Sequence, residues 1–271
     1  MKVNNKVIVV TGGGGGLGRA LVLSLLKKGA KVAAVDINEV ALYETQKLSG
    51  NYVSDLSVHV LNITDWSKVE EFPEEVIKVH GTVDGLINNA GIIQPFFHVN
   101  KLDMKKIEQI MNVNFYGSLY LIKAFLPYFL KRPEGHIVNV SSLGGFMPFP
   151  GQTIYGASKA ALKLLTEGLY AELKETNVRA TVIHPGAIKT NIMANSGLEN
   201  SIDSTSAEES NMALEPEKAA ELIIKAMEKN KYRATVGNDS RMLDIIYRIA
   251  PRFATNLIVK KMKDMPMEVS N

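Results

Sequence analysis

Val7-Ile8-Val9-Val10-Thr11-Gly12-Gly13-Gly14-Gly15-Gly16-Leu17-Gly18 is the stretch that decides the fold. Its β-branched opening, stopped by glycine, reads as a buried strand. Leu17, Ala20, Leu21 and Leu25 then recur at helical spacing. A strand that runs through glycines into a helix makes an anion site. Backbone N–H groups and the positive helix end face a pyrophosphate, and the missing side chains let it approach. Five glycines in a row carry an ordering cost that a plain turn would not need. They also leave the register open: Gly13, Gly15 and Gly18 fit GxGxxG, whereas Gly12, Gly16 and Gly18 fit GxxxGxG.

Working outward, Lys31 to Val35 forms a second apolar strand that ends at Asp36. Further strands fit Ser57 to Leu61, Val83 to Ile87, His136 to Val140, Arg179 to Ile183 and Tyr232 to Val236, with amphipathic helical segments between most of them. Continuous apolar strands alternating with helices predict an α/β fold, a doubly wound, Rossmann-like, parallel seven-stranded sheet with helices on both faces. We expect a catalytic domain over residues 1–238 and a basic, amphipathic helical extension over 239–271 packed on the same domain. Asp36 stands where a carboxylate accepts hydrogen bonds from the ribose of NAD and repels the 2′-phosphate of NADP. Ile37 and Asn38 supply no cation, so the expected cofactor is NAD. The polar stretch Asn195 to Asn211, ahead of a helix opened by Glu215-Pro216-Glu217, reads as a lid or substrate loop.

Composition narrows the function. Hydrophobic residues make up 46% of the 271 and charged residues 22%, as in a globular chain. A net charge of +3 is too even for binding to a nucleic-acid backbone to lead. The absence of cysteine removes disulfides, thiolate metal sites and cysteine nucleophiles, and the five histidines show no metal-ligand spacing, so no metal is expected. The apolar run near the N-terminus, Val7 to Val10, is too brief for a signal-peptide core or a membrane span, and the expected compartment is the cytoplasm.

A tyrosine acting as a base near neutral pH needs a fixed cation beside it, and a lysine four residues on along a helix supplies one. Three pairs have that spacing: Tyr43/Lys47, Tyr155/Lys159 and Tyr170/Lys174. A serine at a strand end separates them. Ser142 follows the strand His136 to Val140 and lies thirteen residues before Tyr155, whereas the same step back from Tyr43 and Tyr170 meets Ala30 and Ala157.

With these residues in place, the chain resembles the short-chain dehydrogenase/reductase family, in its single-domain, standard-length branch. The resemblance runs from Lys6 to about Val236. It rests on Thr11-Gly12-x-x-x-Gly16-x-Gly18, Asn88-Asn89-Ala90-Gly91, Asn114, Ser142, Tyr155-x-x-x-Lys159 and Pro185-Gly186-Ala187-Ile188-Lys189-Thr190, all in the family's order. It implies Tyr155 as acid/base, Lys159 lowering its pKa and holding the nicotinamide ribose, Ser142 orienting the reacting oxygen, and Asn114 anchoring a proton-relay water. It further implies cofactor contacts from Gly12, Gly16, Leu17, Gly18, Asp36, Asn62, Ile63, Asn89, Ala90, Gly91, Pro185, Gly186, Ile188 and Thr190. Asn62 departs from the pattern by standing where the family usually has an acid against the adenine amino group. Its amide oxygen can still accept that bond.

Phe96, Phe97, Phe146, Met147, Phe149, Ile192 and Met193 are apolar candidates for the substrate walls, and they suit a lipophilic secondary alcohol or ketone. From Arg241 to Lys263 there are six basic residues and one acid, interleaved with apolar positions around Pro251. That pattern reads first as a cover over the cleft or a subunit contact, and second as a membrane-surface helix. The resemblance implies a homodimer or homotetramer, built on the helices within Leu102 to Leu130 and the helix carrying Tyr155. Two other readings of the same fold are a non-catalytic nucleotide-binding regulator and a membrane-associated binding protein.

Overall fold

The computed structural model describes residues 1–190, 192–196 and 213–263. Beyond Ser196, the stretch expected to form a lid lies outside the described residues. Seven strands form one parallel sheet in the order β3-β2-β1-β4-β5-β6-β7: β1 Val7–Thr11, β2 Lys31–Asp36, β3 Leu56–Val60, β4 Gly85–Asn88, β5 Gly135–Val140, β6 Val178–Pro185 and β7 Arg233–Val236. The helices are α1 Gly16–Lys27, α2 Glu39–Leu48, α3 Trp66–His80, α4 Met104–Met111, α5 Ser118–Phe129, α6 Thr153–Glu172, α7 Ile192–Asn195, α8 Pro216–Glu228, α9 Asn238–Ile249 and α10 Pro251–Lys261.

Successive strand side chains point to opposite faces. In β1, Ile8 and Val10 therefore join one core with Leu21 and Leu25 of α1 and Ile223 and Met227 of α8. Val7 and Val9 join the other with Phe72 of α3, Phe125 and Phe129 of α5, and Leu169 of α6. Burial on both faces explains why the strands read as unbroken apolar runs rather than alternating ones. Local chemistry sets the helix ends. Asn38 accepts from the Ala41 N–H and starts α2, Gly81 in the left-handed conformation ends α3, and Pro216 opens α8.

The chain winds outward in both directions from β1, so a crevice opens at the carboxyl ends of β1 and β4, the expected ligand position in such sheets. The helix between β4 and β5 is interrupted by a π-helical turn, Asn112–Gly117, which no local sequence signal announced. A third apolar cluster lies apart from the sheet. Leu243 of α9 and Ala254 and Ile258 of α10 close over Leu143 and Met147, in the segment that follows β5.

Candidate active site

The glycine run resolves into one register. Gly12 and Gly16 have positive φ, +68° and +49°, while Gly15 is extended. A Cβ on Gly18 would collide with the Gly12 carbonyl, and one on Gly12 would press on the Asn89 amide at 2.9 Å. The backbone itself therefore follows GxxxGxG. Thr11 and Asn89 clamp the turn to the end of β4: the Thr11 hydroxyl accepts from the Asn89 and Ala90 N–H groups, each at 3.0 Å, and Asn89 Nδ2 donates to the Thr11 carbonyl at 3.0 Å. No side chain caps the first turn of α1, which begins at Gly16 and continues through Leu17 and Gly18. Its N–H groups face the crevice as a ready anion site. Thr190 crosses over this turn, with Cβ 3.3 Å from the position a Cβ on Gly16 would take. Together the cradle, the uncapped helix end and the carboxylate at Asp36 fit a dinucleotide.

Asp36 accepts from the Gly14 and Asn38 N–H groups, both at 3.0 Å. Each oxygen keeps a lone pair for a ribose hydroxyl. Among the described residues, Arg19 is the cation bonded to this loop, and its Nε and Nη2 are engaged. Its guanidinium donates to the Gly14 and Ala41 carbonyls and to Thr45, and it pairs with Glu44 at 2.8 Å. The amide oxygen of Asn62, expected to face adenine, accepts from both the N–H and the hydroxyl of Thr64, and the Ile63 side chain packs against Gly117. An adenine amino group would compete with Thr64 for that oxygen. On the nicotinamide side, Pro185 ends β6, the Gly186 N–H donates to the Val236 carbonyl, and Ile188 bridges to Leu214. The Asp239 carboxylate occupies the space a side chain at Gly186 would need and accepts from the Ala187 N–H.

Of the three tyrosine/lysine pairs, the fold brings one to the crevice. Tyr43 and Tyr170 are exposed, Tyr43 bonding to Glu39 and Tyr170 stacking edge-on against Tyr232. Tyr155 and Lys159 lie on the first turns of α6, against the end of β5. Lys159 is 3% exposed and donates to the Val140 carbonyl at 3.0 Å. Burial pulls its pKa down to about 8. Burial pushes the Tyr155 phenol above its ordinary value, and a hydrogen bond from Ser142 opposes that rise. Ser142 is thus a neighbour that pulls the phenol down in this geometry. At neutral pH the cofactor-free phenol holds its proton.

Asn114, expected as a water anchor, is joined at the site by Gln94 and His184, which were not read from the sequence. Asn114, in the π-helical turn, exchanges two hydrogen bonds with the Ile92 backbone and donates to Ser158, whose hydroxyl donates to the Tyr155 carbonyl. A Cβ on Gly91 would stand 3.0 Å from Lys159 Nζ and 3.2 Å from Asn114 Oδ1, so both polar atoms border one space. Gln94, fully buried in the loop after β4, accepts from the Ile154 and Tyr155 N–H groups and so caps α6 from a distant segment. His184 donates from Nδ1 to the Ser142 carbonyl at 2.9 Å, which leaves its buried Nε2 without a partner. Burial lowers its pKa to about 4, so it is neutral. Phe146 packs edge-on against His184 and lies under the Arg233 guanidinium. Of the expected substrate walls, Met147 is buried, and Phe96, Phe146 and Phe149 pack with the α9–α10 cluster. Phe97, Ile192 and Met193 are half-buried. Among the described residues, no three acidic or histidine side chains gather as a metal site, and no helix is long and apolar enough to cross a membrane.

The sequence profile of the family described as short chain dehydrogenase matches residues 6–201. A Mycobacterium tuberculosis protein bearing the name oxidoreductase SadH is 37% identical over 250 residues, 90% of each chain. A short-chain dehydrogenase/reductase from Burkholderia phymatum, crystallised with NAD, superposes with a TM-score of 0.80 at 23% identity, covering 92% of this chain and 96% of that one. ElxO with NADP bound gives 0.78 at 24% identity, covering 88% and 99%.

Proposed function

Because the chain belongs to the short-chain dehydrogenase/reductase family, we propose that it is an NAD-dependent oxidoreductase that interconverts a lipophilic secondary alcohol and its ketone. The observation that carries this reading is the convergence of Ser142, the Tyr155 phenol and the buried Lys159 ammonium at the mouth of a glycine cradle. NAD, when bound, supplies the hydride acceptor for alcohol oxidation, and NADH the donor for ketone reduction. Tyr155, protonated at neutral pH, gives its proton to the nascent alkoxide during reduction; in oxidation its phenolate, left after that proton has passed outward to solvent, takes the hydroxyl proton. Ser142 donates to the reacting oxygen, and Lys159 holds the nicotinamide ribose while its charge favours phenolate. The space shared by Lys159 Nζ and Asn114 Oδ1 beside Gly91 suits a water that passes the proton outward.

NAD rather than NADP is supported by Asp36 and by the commitment of Arg19 to Glu44 and backbone carbonyls. The apolar cluster beneath α9 and α10 supports a lipophilic substrate. Outward-facing Tyr116, Leu130 and Leu164 suit contacts between copies in a homodimer or homotetramer, and the expected compartment is cytoplasmic.

Tyr155→Phe tests the mechanism. NADH binding should persist while kcat falls by about 10²–10⁴-fold, and turnover near the wild-type rate on a panel of lipophilic alcohols and ketones would remove Tyr155 from the chemistry. Asp36→Ala tests the cofactor choice. The ratio of kcat/KM for NAD to that for NADP should fall by about tenfold or more, as loss of a charged hydrogen-bond partner requires. An unchanged ratio would move selectivity elsewhere.

A further inference from the structure

We propose that the α9–α10 hairpin docks the protein on the surface of an anionic lipid bilayer. The two helices meet at Ala250-Pro251 and present two unlike faces. The inner face, with Leu243, Ala254 and Ile258, is buried against the segment after Ser142. The outer face carries Met242, Ile245, Ile249, Phe253 and Val259 in the open. Ile249 is 80% exposed, more than any other large hydrophobic side chain among the described residues, and Phe253, across the turn from it, is 62% exposed. Interleaved with them on the same surface are Arg241, Arg248, Arg252, Lys260, Lys261 and Lys263, all exposed. Asp244 is the sole acid from Arg241 to Lys263, and it is turned inward to Arg233 at 2.7 Å while also holding Arg248 at 3.1 Å.

An apolar ridge at a helix turn, collared by cations and, from Arg241 to Lys263, with its one acid paired to arginine, matches the interfacial zone of a membrane: apolar side chains enter the acyl boundary and cations meet lipid phosphates. A second copy fits the surface poorly. A twofold contact pairs a patch with itself, which would set these cations against their own images. A polyanion in water would engage the cations but give Ile249 and Phe253 nothing apolar to enter. Docking stands independently of the catalytic proposal. If that proposal also holds, the hairpin's inner face walls the substrate chamber and its outer face meets the phase in which a lipophilic alcohol dissolves.

Sedimentation of the full chain with vesicles tests this, using phosphatidylcholine alone and an equal mixture of phosphatidylcholine and phosphatidylserine. The wild type should sediment with the mixed vesicles and stay in solution with phosphatidylcholine alone. Two outer-face variants, Ile249→Ser with Phe253→Ser, and Arg241→Gln with Arg252→Gln and Lys260→Gln, should each lower the partition coefficient by at least about tenfold, with melting temperature and native mass unchanged. Failure to bind the mixed vesicles would overturn the proposal. So would binding that survives the loss of Ile249 and Phe253, or a drop in native mass in either variant, which would assign the face to a contact between copies.

Discussion

Two buried charges at opposite ends of the sheet are answered differently. Asp84, just before β4 at the amino end, is 1% exposed, and Lys159, against the carboxyl end of β5, is 3% exposed. Both oxygens of Asp84 are engaged, one by the Val7 N–H at 3.0 Å and the other by Arg132 Nε at 2.9 Å. Lys159 has one carbonyl, and no carboxylate among the described residues lies within ion-pair distance of it. Unpartnered buried polar atoms occur at both ends, the Asn88 side-chain oxygen and His184 Nε2 toward the carboxyl end and His136 Nδ1 beside Asp84 at the amino end, so it is the charged pair that sets the two apart. A buried charge that is fully paired holds strands in register. One left half-paired beside a glycine cradle is a group waiting for a ligand.

The sharpest way to break that contrast is Lys159→Met. Turnover should fall by about 10²–10⁴-fold, while the cofactor-free fold becomes more stable by up to about 3 kcal/mol, the cost of keeping a group with its pKa displaced to about 8 protonated inside. The sign is fixed by proton counting. Between about 8 and the ordinary 10.5, the unfolded lysine binds a proton and the folded one does not, so wild-type stability rises with pH across that window. The variant should lack that rise. Urea unfolding near neutral pH and near pH 10 measures both effects, and a variant less stable than wild type would mean that Lys159 is a structural ion after all.

Asp84→Ala is the converse. Removing a fully buried carboxylate strands Arg132 and the Val7 N–H, and stability should fall by about 3 kcal/mol. KM for NAD should be unchanged in the folded fraction, because Asp84 lies at the end of the sheet away from the crevice. A large change in KM with little loss of stability would erase the division of labour between the two ends.

The sequence made legible what depends on short-range pattern. Unbroken β-branched runs announce strands buried on both faces, and Tyr155, Lys159 and Ser142 are legible because a helix turn and a strand end fix their relation. The strand expected over Val83 to Ile87 runs Gly85–Asn88, because Val83 and Asp84 are drawn into the anchoring at the amino end. What escaped reading depends on partners distant in the chain. His184 bonds Ser142 across 42 positions and Gln94 bonds Tyr155 across 61, and nothing local to a histidine before proline or a glutamine in a loop reports such a partner. The glycine register, open in the sequence, was decided by backbone angles. The inward turn of Asp244, which leaves the outer face of α9 purely cationic, likewise depends on Arg233 in another element.

Gln94 offers the smallest and finest test, because it is a fully paired group at the catalytic end. No local side chain caps α6. Gln94 Oε1 accepts from the Ile154 N–H at 2.8 Å and the Tyr155 N–H at 3.0 Å, and Nε2 donates to the Gly151 carbonyl at 2.6 Å. Gln94→Ala leaves two first-turn N–H groups unmet and should cost about 1–2 kcal/mol. Tyr155 sits in that first turn, so its phenol loses its fixed relation to Ser142, and kcat should fall by about tenfold while KM for NAD holds, since misplacing a reacting group by a fraction of an ångström is felt in rate before binding. Gln94→Glu keeps both acceptor bonds and adds a negative charge favourable at a helix N-terminus, but it turns the donor to the Gly151 and Phe97 carbonyls into an acceptor, so it should recover only part of the rate. Equal rates for Gln94→Ala and wild type would show that α6 holds Tyr155 in place without this cap, and that satisfied polar groups at both ends of the sheet serve stability alone.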